Sequence, residues 1–133
     1  MDNINRYFAA TYADARARFL SAAQRRGLPV ETIANPLKGA EGEELATDAV
    51  ILGVADAPSL LIVTSGTHGV EGFCGSGCQG ALLDDDDMAR RVAAGRIAGL
   101  LVHAGNPPGF PTPAGGEEDN PHPHPHVRPS ARP

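Results

Sequence analysis

The stretch that decides the fold runs from Ser59 to Gln79 and reads "SLLIVTSGTHGVEGFCGSGCQ". Its first six residues are nearly all apolar, which predicts a strand that is covered on both faces of an α/β sheet. The glycine-rich loop that follows places His68 and Glu71 three residues apart. Because α/β sheets bind ligands beyond the carboxyl ends of their strands, this loop is the first candidate for a functional site.

The segments around this stretch predict an alternation of helices and strands. Strands are expected at 28–35, 46–54, 59–64 and 97–105, and helices at 2–24, at 77–83 and from Asp84 onward. The first helix is expected to be capped near Asp2, to end at Gly27 and to bury its stripe of Phe8, Tyr12 and Phe19. This order is typical of the first half of an α/β sandwich.

The chain changes character near its end, where nine of its twelve prolines lie between Pro107 and Pro133. Such a segment buries too little apolar surface to offset its ordering entropy. We therefore predict a single α/β domain over residues 1–110 and a Pro/His-rich disordered tail over residues 111–133.

Composition excludes several classes of function. The chain has 133 residues and a formal net charge of −5 without a cluster of Lys and Arg, so nucleic acid is not an expected partner. It also has no secretory leader and no apolar segment of membrane-spanning length, which predicts a cytoplasmic protein without a membrane partner. The only cysteines, Cys74 and Cys78, do not have zinc-ribbon spacing and are interpreted as two small buried thiols.

The H-x-x-E pair has two interpretations from the residues alone. A neutral imidazole and a carboxylate are both good zinc ligands, and neighbouring glycines allow the backbone to turn tightly around a metal. Alternatively, the segment is a strand-to-helix turn in which His68 faces solvent and Glu71 begins the helix. The acidic run from Asp84 to Asp87 has a similar pair of interpretations, a cation site or a solvated helix start.

Four segments together carry a resemblance to a known family, and they are "YFAATYADARARFL", "GEELATDAVILG", "TSGTHGVEGFCGSGCQ" and "LLVHAGNPPGF". Over residues 5–110 the chain resembles an uncharacterised bacterial branch of the zinc metallocarboxypeptidase superfamily, known as domain of unknown function 2817. The resemblance implies the N-terminal part of an α/β/α sandwich with a mixed sheet. It also implies a zinc hydrolase in which His68 and Glu71 are two of three protein ligands. In full-length relatives the implied substrates are small peptides or acyl-amino acids.

The resemblance also shows what is missing after the "NPPGF" turn that ends at Phe110. Relatives continue with an Asn-Arg pair that holds a substrate carboxylate, a third zinc-binding histidine and a glutamate that acts as general base. None of these is recognisable here, which suggests a truncated or frame-shifted gene. His103 is given no ligand role, and the histidines of the tail are not expected to complete the site.

Two functions are carried forward from the sequence. The first is a fragment of a zinc-dependent metallocarboxypeptidase-like hydrolase that is inactive alone. The alternative is a non-catalytic α/β metal-binding or interaction module with a His-rich tail. In both cases an isolated half-sheet leaves an edge strand and an uncovered face, so either marginal stability or self-association is expected.

Overall fold

The computed structural model describes residues 4–54 and 56–110. A short 3-10 helix covers Ile4–Tyr7. The α-helices are α1 (Tyr12–Arg25), α2 (Gly72–Asp84) and α3 (Asp86–Ala94), and the strands are β1 (Glu31–Lys38), β2 (Glu44–Gly53), β3 (Ser59–Thr64) and β4 (Ile97–His103). The predicted tail lies outside the described residues.

The N-terminal helix begins later than predicted. Thr11 has an extended backbone, and its hydroxyl oxygen accepts a hydrogen bond from the Asp14 N–H at 3.2 Å, which caps α1. The expected cap near Asp2 and the continuous helix over residues 2–24 are therefore wrong, since this cap separates α1 from the 3-10 helix. Tyr12 and Phe19 are buried as predicted, whereas Phe8 is 39% exposed.

The four strands form one mixed sheet in the order β1-β2-β4-β3. β1 pairs antiparallel with β2, β2 pairs antiparallel with β4, and β3 pairs parallel with β4. The predicted α/β class with a mixed sheet is confirmed. The topology places the carboxyl ends of β3 and β4 side by side at one end of the sheet.

The three α-helices pack on one face of this sheet. Their side chains share a core cluster with Val50, Leu52 and Leu101, which the strand register places on the same face. The other face carries Ile33, Ile51, Leu60 and Ile62, which are 72%, 41%, 57% and 56% exposed. We call it the open face, and no helix of the described residues covers it.

Two expectations for the strands are wrong. The first strand is predicted over residues 28–35, yet β1 covers Glu31–Lys38 and continues through Pro36, which is tolerated because β1 is an edge strand whose register shifts between Ala34 and Lys38. β3 was expected to be covered on both faces, yet most of its residues are exposed. The reason is its position at the edge of the sheet and beside the open face. No described helix is long and apolar enough to cross a membrane.

Candidate functional site

The loop of residues 65–71 joins the carboxyl end of β3 to the start of α2. His68 and Glu71 both lie on this loop, and both are exposed. Glu71 occupies the N-cap position of α2 without making a side-chain capping hydrogen bond. The structure thus brings both predicted ligands to one loop at the end of the sheet where α/β proteins bind ligands.

The turn after β4 holds this loop in place. The N–H of Gly105 donates to the Ser65 carbonyl at 2.8 Å, and the N–H of Asn106 donates to the Gly66 carbonyl at 2.8 Å. These two bonds continue the pairing of β3 with β4 beyond the last strand residues. The predicted "NPPGF" turn is therefore a structural partner of the H-x-x-E loop.

Phe110 links the H-x-x-E loop to the turn after β4 by packing. Its ring is fully buried and makes edge contacts with Tyr12 and Phe73, at centroid distances of 5.4 and 4.8 Å. Gly66 has a φ of +64°, and a Cβ added at Gly72 would lie 2.8 Å from Phe110 Cδ2. The glycines at both ends of the loop thus leave room for this ring.

Ser65 and Gln79 form a buried polar support that the sequence analysis missed. The Ser65 hydroxyl donates to Gln79 Oε1 at 2.8 Å. Gln79 Nε2 donates to the carbonyl oxygens of Val63 and Val102, at 2.9 and 3.0 Å, and so bridges β3 and β4. A glutamine inside the glycine-rich helix was the available signal, because a buried amide needs several partners.

His103 ends β4 inside the core rather than in the candidate site. Its Nε2 lies 2.9 Å from the Ser76 hydroxyl oxygen, and its ring stacks on Phe19 at a centroid distance of 4.7 Å. Its Nδ1 has no hydrogen-bond partner among the described residues. Burial lowers the pKa of His103 to about 4, although the charge of Asp48 acts in the opposite direction. The side chain is therefore neutral at pH 7.

Asp48 is a buried carboxylate on the helix-covered face. Arg16 donates two hydrogen bonds to its carboxylate, at 2.7 and 3.1 Å, and the Thr32 hydroxyl donates a third at 2.7 Å. Burial alone would raise the pKa of Asp48, but the bonds from Arg16 and Thr32 hold it below its usual range. This group stabilises the scaffold rather than a reaction, because its side chain is 0% exposed.

The prediction that both cysteines are buried is wrong. Cys74 and Cys78 are free thiols on the exposed side of α2, one turn apart. Burial and the neighbouring Cys74 raise the pKa of Cys78. The prediction failed because it could not specify which side of α2 packs against α1 and the sheet.

The acidic run is a helix start. The Asp85 carboxylate accepts hydrogen bonds from two backbone N–H groups of α3, as predicted for a cap. Asp84 pairs with Arg25, and Asp86 with Arg26. Asp84 also lines a groove of about 600 Å³ between α1, α2 and the 3-10 helix, which His68 and Glu71 do not line.

A complete metal site is not formed within the described part of the chain. No group of three or more His, Cys, Asp or Glu side chains is placed there to hold a metal ion. His68 and Glu71 supply the imidazole and carboxylate that zinc accepts, which makes two of the three protein ligands of a catalytic site. The tail's histidines and glutamates lie outside the described residues.

Comparison with known proteins gives one family match. The profile of a family described as "Protein of unknown function (DUF2817)" matches residues 8–121. The match includes both loops of the candidate site and continues beyond Phe110, where the sequence analysis placed the end of the family pattern. No curated protein matches the chain.

Proposed function

The chain belongs to the DUF2817 family, and we propose that His68 and Glu71 are two ligands of a zinc hydrolase site of the metallocarboxypeptidase type. The observation that carries this proposal is the placement of both side chains, exposed, on one loop at the carboxyl ends of the neighbouring parallel strands β3 and β4. The two backbone bonds from Gly105 and Asn106 hold this loop firmly. A fixed loop is what a metal centre requires, because ligands must keep their geometry.

The number of available metal ligands limits how much of a catalytic site can be proposed for this chain. A catalytic zinc ion takes three protein ligands and keeps a position for the water whose pKa it lowers. The described residues supply His68 and Glu71 on the loop, and no general base is assigned beside them. We infer that this chain carries part of such a site and is inactive by itself. In a complete site of this type the substrate class is a small peptide or an acyl-amino acid.

The first test is zinc binding. We expect calorimetry to show weak binding, because two ligands hold zinc less tightly than the three or four of a full site. Zinc binding by the tail is removed from the full chain by replacing His122, His124 and His126 with Asn. In that background His68→Ala with Glu71→Ala should abolish the remaining binding, whereas Glu31→Ala on exposed β1 should not change it. A sub-nanomolar Kd that survives the tail substitutions would mean that a third ligand exists and that the site is complete.

The second test is hydrolysis. Loss of a general base alone typically reduces a rate by about 10²- to 10⁴-fold, and here the third ligand is also unassigned. We therefore expect no measurable turnover when the zinc-loaded chain is incubated with C-terminal peptide and acyl-amino-acid substrates. Turnover that disappears in His68→Ala would contradict the proposal that the site is incomplete.

An interaction module is the second candidate function, and the open face favours it. Ile33, Leu60 and Ile62 expose more than half of their surface on this face. Apolar side chains that are this exposed on one face of a sheet are typical of protein contacts. A chain that binds no zinc at the H-x-x-E loop but forms a defined complex would support this candidate over the hydrolase.

A further inference from the structure

The two edges of the sheet are built differently. β1 carries a proline at position 36, charged residues at both ends, Glu31 and Lys38, and a register shift between Ala34 and Lys38. Each of these features discourages pairing with another strand. The β1 edge is therefore protected against association.

The β3 edge has none of these protections. Its sequence, "SLLIVT", contains no charge, proline or glycine, and it pairs in continuous register with β4. Leu60, Leu61 and Ile62 are 57%, 53% and 56% exposed. No other described strand pairs with its outer side. A regular, apolar and exposed edge is a template for adding a strand.

The backbone groups available at this edge follow from the pairing with β4. The Ser65 N–H donates to the Val102 carbonyl at 3.0 Å, so odd-numbered residues of this segment direct their backbone groups toward β4. Leu60, Ile62 and Thr64 consequently direct their N–H and C=O groups outward.

We propose that β3 is a self-association surface, at which two copies of the chain pair β3 with β3 in antiparallel orientation about a two-fold axis through Ile62. This axis places Ile62 opposite its counterpart and Leu60 opposite Thr64 of the second copy. The outward groups then form up to about six N–H···O=C bonds. The same axis joins the two open faces, so that Leu60 and Ile62 of both copies form one apolar strip. This proposal does not depend on zinc binding.

A second copy is the occupant that the chain itself favours. The contact strand is uncharged, so two chains of formal net charge −5 meet without like charges opposite each other in the strand pair. Residues 111–133 are unsuited to the role, because their prolines at 111, 113, 121, 123, 125, 129 and 133 have no N–H to donate to a ladder, and the proline-free residues 114–120 are glycine-rich and acidic. Pairing of one six-residue strand is a small interface, for which a micromolar Kd is expected.

The first experiment is analytical ultracentrifugation of the full chain over a micromolar concentration series. We expect a monomer–dimer equilibrium that Ile62→Lys weakens at least about tenfold, because a lysine at an edge opposes pairing. Ile33→Lys makes the same change on the same face at the protected edge and should leave the Kd unchanged. A monomeric parent chain, an unaffected Ile62→Lys variant, or equal weakening by Ile33→Lys would each overturn the proposal.

The second experiment tests the axis with a milder substitution. Residues directly opposite in a hydrogen-bonded antiparallel pair have Cα atoms about 5.5 Å apart, within the range that a disulfide spans. With Cys74 and Cys78 replaced by Ser, Ile62→Cys should give a covalent dimer on mild oxidation, whereas Leu61→Cys, which lies opposite Val63 of the second copy, should not. Crosslinking of the Leu61 variant, or none at Ile62, would exclude this axis.

Discussion

Replacement of Arg16 by methionine is expected to lower the free energy of unfolding by about 3 kcal/mol at pH 7, the low end of the cost of breaking a buried ion pair. Asp48 is 0% exposed and depends on Arg16 for two of its three hydrogen bonds. Methionine keeps the apolar stem but leaves the carboxylate without its cation. Urea unfolding followed by circular dichroism measures the loss. A loss of this size is a large part of the total stability of a small domain.

The pH dependence separates this effect from a general loss of packing. In the parent chain the pKa of Asp48 is below its usual range, so the stability from the pair is present above that range and is lost only as the pH falls through the lower folded value. Without Arg16, burial dominates and favours the protonated form. The difference between variant and parent should therefore shrink from pH 7 to pH 5, and a constant difference would contradict the role given to Arg16.

A matched control is available at the surface. Arg90 pairs with Asp87 at 3.1 Å, but the two side chains are 76% and 57% exposed. Solvent screens such a pair, so Arg90→Met should change the free energy of unfolding by no more than about 0.5 kcal/mol. An equal loss in both variants would mean that the burial of Asp48 does not set the cost.

Replacement of Phe110 by alanine is expected to cost about 3 to 5 kcal/mol, the usual range for truncating a fully buried aromatic side chain. The ring is 0% exposed and packs on Tyr12, Phe73 and the glycines at both ends of the H-x-x-E loop. Its removal should also loosen that loop. We expect hydrogen exchange to show reduced protection of the Gly105 and Asn106 amides, which hold the loop by their bonds to residues 65 and 66.

The same truncation at Phe8 serves as the comparison. Phe8 is 39% exposed, so Phe8→Ala should cost about 1 kcal/mol and leave the Gly105 and Asn106 amides protected. If Phe110→Ala proves as mild as Phe8→Ala, then Phe110 does not fasten the two loops together.

The sequence predicted the parts of the fold that local pattern controls. Apolar runs located β2, β3 and β4, and the acidic run from Asp84 to Asp87 located the start of α3. The failures concern neighbours that are distant in the chain. Burial of β3 depends on what lies beside it in the sheet, and its apolar composition does not show that it is an edge. Likewise, the first predicted strand ends before Pro36, although an edge strand tolerates a proline.

The candidate site follows the same division. The position of His68 and Glu71 after β3 was predictable, because a glycine-rich loop after an apolar strand is a local signal. The sequence did not predict the bridge made by Gln79 or the exposure of Cys74 and Cys78, since both depend on how α2 is rotated against the sheet. Pairing of Arg16 with Asp48 joins residues 32 positions apart, which no periodicity in the sequence indicates.

The strand order has a consequence for how the chain is made. β4 is the last of the described strands to emerge from a ribosome, yet it lies between β2 and β3 and pairs with both. His103 follows Thr64 by 39 positions, so at translation rates of about 5 to 20 residues per second β3 remains without its only described neighbour for roughly 2 to 8 s. During that interval the hairpin of β1 and β2 can form, whereas β3 stays an unpaired apolar segment. Nascent chains are therefore most exposed to chaperone capture, and to one another on a polysome, before His103 emerges from the ribosome.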